Sequence, residues 1–395
     1  MAEKFRTMIG GQALIEGILM QGPRKRAIVV RKPDGELESK VMPYTPPAEK
    51  HKILGWPVIR GCVGLYLSLY HGVKALTYSA EFYPEDEAQA KEPSRFEKWL
   101  AAMEKNGGSS HRQVLELVRT TDGKVMFQDR KLGVWRAYTY ISDALALDVV
   151  EHPEQLEEVG RAFGRFQSKL ADFPADQLTE TILHFHNTTK RFYAFVRALD
   201  ENKAGRINEV EEEIEFLFDR RRMLGEIVRL LDNKVIPLRV THNDTKANNV
   251  LLDSKTGKSL CVIDLDTVMP GSSLYDYGDG VRFGASTARE DEEDTSIIGL
   301  DMEKTRAFTR GFIEETAGIL SDEELFRLPL GIKVLTGELA MRFLTDYLDG
   351  DLYFKVNSPK HNLIRARAQM ALLRDIERRE EELQELVHKY VKRYS

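Results

Sequence analysis

The segment Thr241-His242-Asn243-Asp244-Thr245-Lys246-Ala247-Asn248-Asn249 sets out the pattern His-x-Asp-x-x-x-x-Asn. Twenty residues beyond Asp244, the apolar run Leu260-Cys261-Val262-Ile263 ends in Asp264. A carboxylate, an amide and a second carboxylate at this spacing suit phosphoryl transfer from a nucleotide. Asp244 would accept the proton of an attacking hydroxyl. Asn249 and Asp264 would hold the Mg2+ that bridges the phosphates. The reaction asks for positioning and charge neutralisation more than for covalent chemistry, so a few oxygens on a rigid frame suffice. Asp266 reads equally as a second metal ligand or as a surface carboxylate. The competing reading is a loop in which His242, Asp244 and Asn249 only cap local backbone, and a strand-borne Asp264 argues against it.

Short strands must deliver these groups. Pro237-Leu238-Arg239-Val240 would carry His242 and Asp244 to a strand end. Val250 to Asp253, the turn Ser254-Lys255-Thr256-Gly257-Lys258, and Ser259 to Asp264 read as a hairpin that brings Asn249 and Asp264 to one metal. Upstream, Val114 to Val118 leads through a turn at Thr121-Asp122-Gly123-Lys124 into Val125-Met126-Phe127, and Trp135 to Ile141 follows as a strand. From Pro153 the pattern turns helical. Leu156, Val159, Phe163, Phe166 and Leu170 share one face. Ile214 to Leu231 reads as one amphipathic helix, and about Ile364 to Tyr394 as a last one, whose Glu380-Glu381-Glu382 run is a solvated face with favourable dipole placement.

The chain has 395 residues, 42% hydrophobic and 30% charged, enough for two or three domains with a sizeable core. A net charge of -6 gives no electrostatic case for nucleic acid. Cys62 and Cys261 match no metal or redox spacing and fit a reducing, cytoplasmic setting, with Cys261 a buried strand residue. No apolar signal-peptide core follows Met1 to Arg6. In the most apolar stretch, Ile53 to Ser79, the longest uncharged run is the ten residues Gly61 to Tyr70, too few to span a bilayer. Residues 84–95 read as an acidic linker and 106–110 as a flexible joint. His184-x-His186 has no third ligand nearby and reads as a loop or core pair. Gly257-Lys258-Ser259 lacks the early glycine of a Walker motif, since Leu252 stands there. Gly278 to Gly284 lacks dinucleotide spacing.

From about Arg112 onward, the chain resembles the aminoglycoside-phosphotransferase-like kinases, and within them the N-acetylhexosamine 1-kinases. The motifs are Trp135-Arg136-Ala137-Tyr138, Phe185-His186-Asn187-Thr188, Thr241 to Asn249, Val262 to Gly271, Tyr275-Asp276-Tyr277-Gly278-Asp279, Arg282 to Ser286 and Met341 to Asp351. The resemblance implies an α+β, protein-kinase-like two-lobed fold, with a truncated small lobe over residues 106–141 and a mainly helical catalytic lobe over 142–395. It implies ATP- and Mg2+-dependent phosphorylation of a sugar at its anomeric hydroxyl. Asp244 is then the base, Asn249 and Asp264 the metal ligands, and Arg342 and Tyr353 the sugar contacts. Tyr140 and Ile141 fall in the hinge beside adenine. From the residues alone, Arg342 could instead pair with Asp346 one turn later.

Residues 1–105 form an unrelated N-terminal module. Ile9 to Pro23, Arg31-Lys32-Pro33-Asp34-Gly35 and Trp56 to Gly61 are similar to the opening of the uncharacterised, membrane-associated YqhQ-like family, up to about Trp99. That resemblance transfers no site residue, and it makes membrane association a weak expectation. Glu16 reads as a turn residue ahead of a functional one. Residues 80–112 show neither a glycine hairpin nor a clear phosphate lysine, with Lys105 and Lys124 candidates by proximity. The expected activity is therefore that of a sugar 1-kinase with an incomplete ATP lobe. The alternative is a non-catalytic sugar- or partner-binding protein from a fused or rearranged gene.

Overall fold

The computed structural model describes residues 10–14, 17–21, 24–31, 36–45, 112–121, 123–129 and 133–395. The expectations for Glu16, Cys62, residues 53–79 and 84–95, Lys105 and the joint at 106–110 lie outside them. The chain divides into two compact units, one of residues 1–92 with 117–139, the other of 93–116 with 140–395.

In the first unit, β1 (Gly10–Leu14), β2 (Gly17–Gln21), β3 (Lys25–Arg31) and β4 (Leu37–Pro43) form an antiparallel meander in chain order. Leu19, Ile28 and Val30 are buried, while Ile18, Met20, Leu37 and Val41 are exposed, as the two-residue period of a half-covered sheet requires. The sequence pattern puts the first strand at Val114, so this sheet is a correction. Its alternation is short, and basic residues flank β3 and obscure it.

The expected turn near Gly123 forms, with φ at 83° and the Gly123 amide donating to Thr120 O at 2.9 Å. Its strands pair differently from expectation. β5 (Leu117–Val118) pairs with β8 (Ala137–Tyr138), and β6 (Phe127–Asp129) with β7 (Gly133–Trp135). Local alternation cannot choose between a near and a far partner.

The second unit is mostly helical. β9 (Ala144–Ala146), which the sequence reading did not foresee, joins β11 (Val250–Asp253) and β12 (Ser259–Val262) in a three-stranded sheet. β10 (Arg239–Thr241) pairs with β13 (Met269–Gly271). Helix α1 (Pro153–Lys169) buries Leu156, Val159, Phe163 and Phe166 as its period predicts. It is followed by α2 (Thr188–Glu201).

The single helix expected over Ile214 to Leu231 is three: α3 (Glu211–Asp219), α4 (Arg221–Leu224) and α5 (Glu226–Asp232). Then come α6 (Ser273–Gly284), α7 (Met302–Thr316), α8 (Asp322–Leu325) and the long α9 (Leu328–Asp349). Gly278 and Gly331 let α6 and α9 touch, since a Cβ on Gly278 would fall 2.3 Å from the Gly331 carbonyl.

The last expected helix is also divided, into α10 (His361–Arg378) and α11 (Glu380–Tyr394). Glu380, Glu381 and Glu382 make the first turn of α11, where the helix dipole favours acids, so the charge run starts a helix instead of decorating the middle of one. Cys261 is buried on β12, and burial pushes its thiol up to about 12. Among the described residues, no helix is long and apolar enough to cross a membrane.

Candidate active site

β10 ends at Thr241, and the chain turns at once into the loop that carries Asp244. The turn needs close backbone approach: a Cβ on Gly271 would lie 2.2 Å from Thr241 Oγ1. Asn243 sits at φ 64°, a left-handed conformation that Asn tolerates better than most residues. Its amide side chain braces the loop, accepting from Thr241 Oγ1 at 2.9 Å and donating to Thr267 O at 2.9 Å.

Two buried carboxylates of α6 hold the loop backbone. Asp276 accepts from the His242 amide at 2.9 Å, the Asn243 amide at 2.8 Å and Gln167 Nε2 at 2.7 Å. Burial pushes the Asp276 carboxyl above its ordinary pKa, and those donors pull the other way. Asp279 accepts from the Thr245 amide at 3.1 Å and from Arg282 at 2.8 and 2.9 Å. Burial opposes its ionisation, but the Arg282 guanidinium outweighs burial and holds it below the usual carboxylate range. The His242 ring, fully buried against Phe163 and Phe166, donates from Nε2 to Ile263 O at 3.0 Å and accepts the Asp244 amide on Nδ1 at 3.3 Å. That pair of bonds assigns the neutral, Nε2-protonated tautomer.

The two loop residues picked from the sequence come together. Asn249 Nδ2 donates to Asp244 Oδ2 at 3.1 Å and to the Asp244 carbonyl at 2.9 Å, which leaves the Asn249 Oδ1 free to accept. The foreseen hairpin then brings in Asp264. Val250 pairs with Val262, and the Ile263 amide donates to Asn249 O at 2.9 Å, so Asp264 follows directly. Asp264 stands at φ 58°, with an exposed carboxylate that takes no hydrogen bond or ion pair among the described residues. Two uncommitted oxygen donors, one amide and one carboxylate, fit a hard cation such as Mg2+. Asp266 is exposed as well.

Lys246, passed over in the sequence reading, lies 2.8 Å from Asp244 Oδ1. With Asn249 on the other oxygen, both oxygens of the carboxylate have a donor and its orientation is set.

A second cluster surrounds Arg342 on α9. Its guanidinium lies over the rings of Phe185 at 5.5 Å, Tyr353 at 5.8 Å and Phe354 at 5.5 Å, and 3.8 Å from Glu338. The pairing with Asp346 does not form. Asp346 instead accepts the amides of Leu352 at 2.9 Å, Tyr353 at 2.7 Å and Phe354 at 2.9 Å, and Asn362 Nδ2 at 2.8 Å. Tyr353 itself is 70% exposed. Tyr140 is 87% exposed and Ile141 is buried, just ahead of β9. His184 and His186 part ways: His184 lies 2.6 Å from Lys190 Nζ, and His186 lies between Glu338 and Asn243. From the sequence, Asp276 and Asp279 stand only inside a resemblance motif, three apart on one helix face and with no role given, and Glu338 is not singled out.

These elements define a phosphotransferase of the kinase-like fold, with a sheet-containing small lobe and a mostly helical large lobe. The chain belongs to the APH phosphotransferase enzyme family, whose model matches residues 69–310. The match includes Asp244, Asn249 and Asp264, begins within residues 1–105, which the sequence pattern sets apart as a different module, and stops short of Arg342 and Tyr353. Similar solved structures include a microcompartment-associated aminopropanol kinase (15% identity, 96% of this chain and 94% of that one, TM-score 0.47). Others are an aminoglycoside phosphotransferase from Alicyclobacillus acidocaldarius (10%, 96% and 94%, 0.48) and the choline kinase LicA from Streptococcus pneumoniae (11%, 93% and 94%, 0.41).

Proposed function

We propose that the chain transfers the γ-phosphoryl group of ATP to the anomeric hydroxyl of a small sugar of the N-acetylhexosamine type, with Mg2+. The observation that carries this reading is the junction of Asp244, Asn249 and the chain entering Asp264, joined at 2.9–3.1 Å. Asp244 takes the proton of the attacking hydroxyl, and Asn249 and Lys246 orient it. Asn249 Oδ1 and the Asp264 carboxylate would hold the metal, which when bound would offset the charge gathering on the phosphates. Arg342 and Tyr353 line the acceptor side, where an aromatic ring and a guanidinium suit the apolar face and hydroxyls of a sugar. Tyr140 and Ile141 flank adenine. The support for a sugar is the resemblance of Met341 to Asp351 together with this pairing. The similar solved structures named above are kinases of other small molecules.

The test is the purified full chain with Mg2+, ATP and a panel of N-acetylhexosamines, amino alcohols and aminoglycosides, followed by 31P NMR. A sugar 1-phosphate is the expected product. An amino-alcohol phosphate would replace the acceptor assignment. Sugar binding without any phosphate ester would favour the non-catalytic alternative. In calorimetry, Asp264→Ala should abolish Mg2+-dependent ATP binding, and unchanged magnesium dependence would refute the ligand assignment.

A further inference from the structure

We propose that His186 is a positioning residue: by donating from both ring nitrogens, it ties the Asn243–Asp244 peptide to Glu338 on the helix that bears Arg342. The inference rests on the reading of Asp244 as the base.

His186 Nδ1 lies 3.2 Å from each oxygen of Glu338, and Nε2 lies 3.2 Å from Asn243 O. Burial opposes ionisation of Glu338, but His186, Arg342 and Arg191 together outweigh it and keep the carboxylate charged. A carboxylate and a carbonyl only accept, so both ring nitrogens carry hydrogen and the ring is an imidazolium. Glu338 supplies the compensating charge that a buried cation requires.

The carbonyl it grips belongs to a particular peptide. Asn243 C=O and the Asp244 amide share one plane. His186 holds the oxygen edge of that plane, and His242 Nδ1 accepts from the N–H edge at 3.3 Å. Asn243 is also at φ 64°, a conformation that persists only where its surroundings enforce it. Two histidines therefore clamp the plane from which the Asp244 side chain departs. The same Glu338 faces Arg342 at 3.8 Å, so one carboxylate links the acceptor cluster to the base.

The groups facing His186 are Glu338 from α9, Asp279 and Tyr275 from α6, and the Phe185 ring, with Arg191 and Arg342 beyond Glu338. Burial disfavours the cation, but the two carboxylates outweigh it and hold His186 above the usual histidine range. A histidine raised on folding contributes its full stabilisation below the unfolded value. That contribution disappears as pH rises through the folded one. The clamp should therefore open as pH rises beyond the usual histidine range.

The experiment uses the full chain, with His186→Gln, which retains one donor, His186→Phe, which retains none, and Glu338→Gln. Nitrogen-15 NMR of the histidine rings should find His186 doubly protonated at neutral pH, and losing its proton at lower pH in Glu338→Gln. Amide exchange at residues 242–245 should quicken by about ten- to hundredfold in His186→Phe, the loss expected for a charged hydrogen bond, with a smaller rise in His186→Gln and none in α11. Where turnover is measured, His186→Phe should lower kcat on the order of a hundredfold and leave KM for ATP unchanged. A singly protonated His186 ring at neutral pH in the wild type would overturn the proposal. So would undisturbed loop exchange in folded His186→Phe, or in His186→Gln should the Phe variant not fold. Neither of these two readouts needs an acceptor. A chain that shows the ring and exchange signatures yet makes no phosphate ester defeats the proposed function and leaves the clamp standing.

Discussion

The loop at 242–245 and the loop at 352–354 are built by the same device, yet their side chains are held very differently. In each, one helix-borne carboxylate collects successive backbone amides. Asp276 takes those of His242 and Asn243, and Asp346 takes those of Leu352, Tyr353 and Phe354. Around Asp276 the side chains are held as tightly as the backbone. His242 is wedged between phenylalanines, Asn243 is locked to Thr241 and Thr267, and Asp244 meets a donor on each oxygen. Around Asp346 the backbone is fixed and the Tyr353 side chain is 70% exposed. Under the proposed function the contrast has a reason: a group that is to move a proton, as Asp244 would, needs a placement accurate to a fraction of an ångström, whereas a group that is to cover a substrate, as Tyr353 would, needs only a rigid root and an accessible ring.

Substitutions that separate the two loops test this contrast. Asp244→Asn keeps the shape of the side chain and removes the proton acceptor. Single-turnover kinetics should fall by ~10²–10⁴ with an unchanged circular dichroism spectrum, and an unchanged rate would take Asp244 out of the mechanism. Asp276→Ala strands two buried amides and should cost about 2–5 kcal/mol in urea unfolding, with kcat falling alongside. A variant as stable as the wild type would mean that the loop finds other acceptors. Asp346→Ala should cost less, about 1–3 kcal/mol, because its loop is nearer solvent, and should raise the acceptor KM while kcat holds. A kcat loss as large as that in Asp276→Ala would erase the distinction between the loops. Tyr353→Ala is the mildest change. Stability should stay within about 0.5 kcal/mol, with any effect confined to acceptor affinity, so a marked drop in melting temperature would show that the ring packs instead of facing a ligand.

The readable parts of the site were those in which near neighbours in sequence are also partners in space. The pattern from His242 to Asn249, the turn at Gly257 and the strand into Asp264 form one continuous hairpin, and the Val250–Val262 pairing follows from its turn. α1 was legible because a sustained helical period buries one stripe. The Ile214–Leu231 and Ile364–Tyr394 segments kept that period across breaks. Periodicity alone therefore merged α3 with α4 and α5, and α10 with α11. The strand partners of β5 and β6 and the existence of β9 depended on pairings that a two- or three-residue strand does not advertise.

By itself, the sequence determined which oxygens are available for the chemistry and in what order they lie along the chain. Spacing sets side-chain order, and a local hairpin needs little else to bring its ends together. Only the tertiary structure decided what holds those oxygens still. Asp276 reaches His242 across 34 positions, and Glu338 reaches His186 across 152. An acid at position 338 looks in sequence like any other acid on a helix, and the motif that holds Asp276 does not say which amides it binds. Its role comes from burial, which makes an unpaired amide or charge costly enough that carboxylate and loop must find each other, and burial is a property of the packed chain.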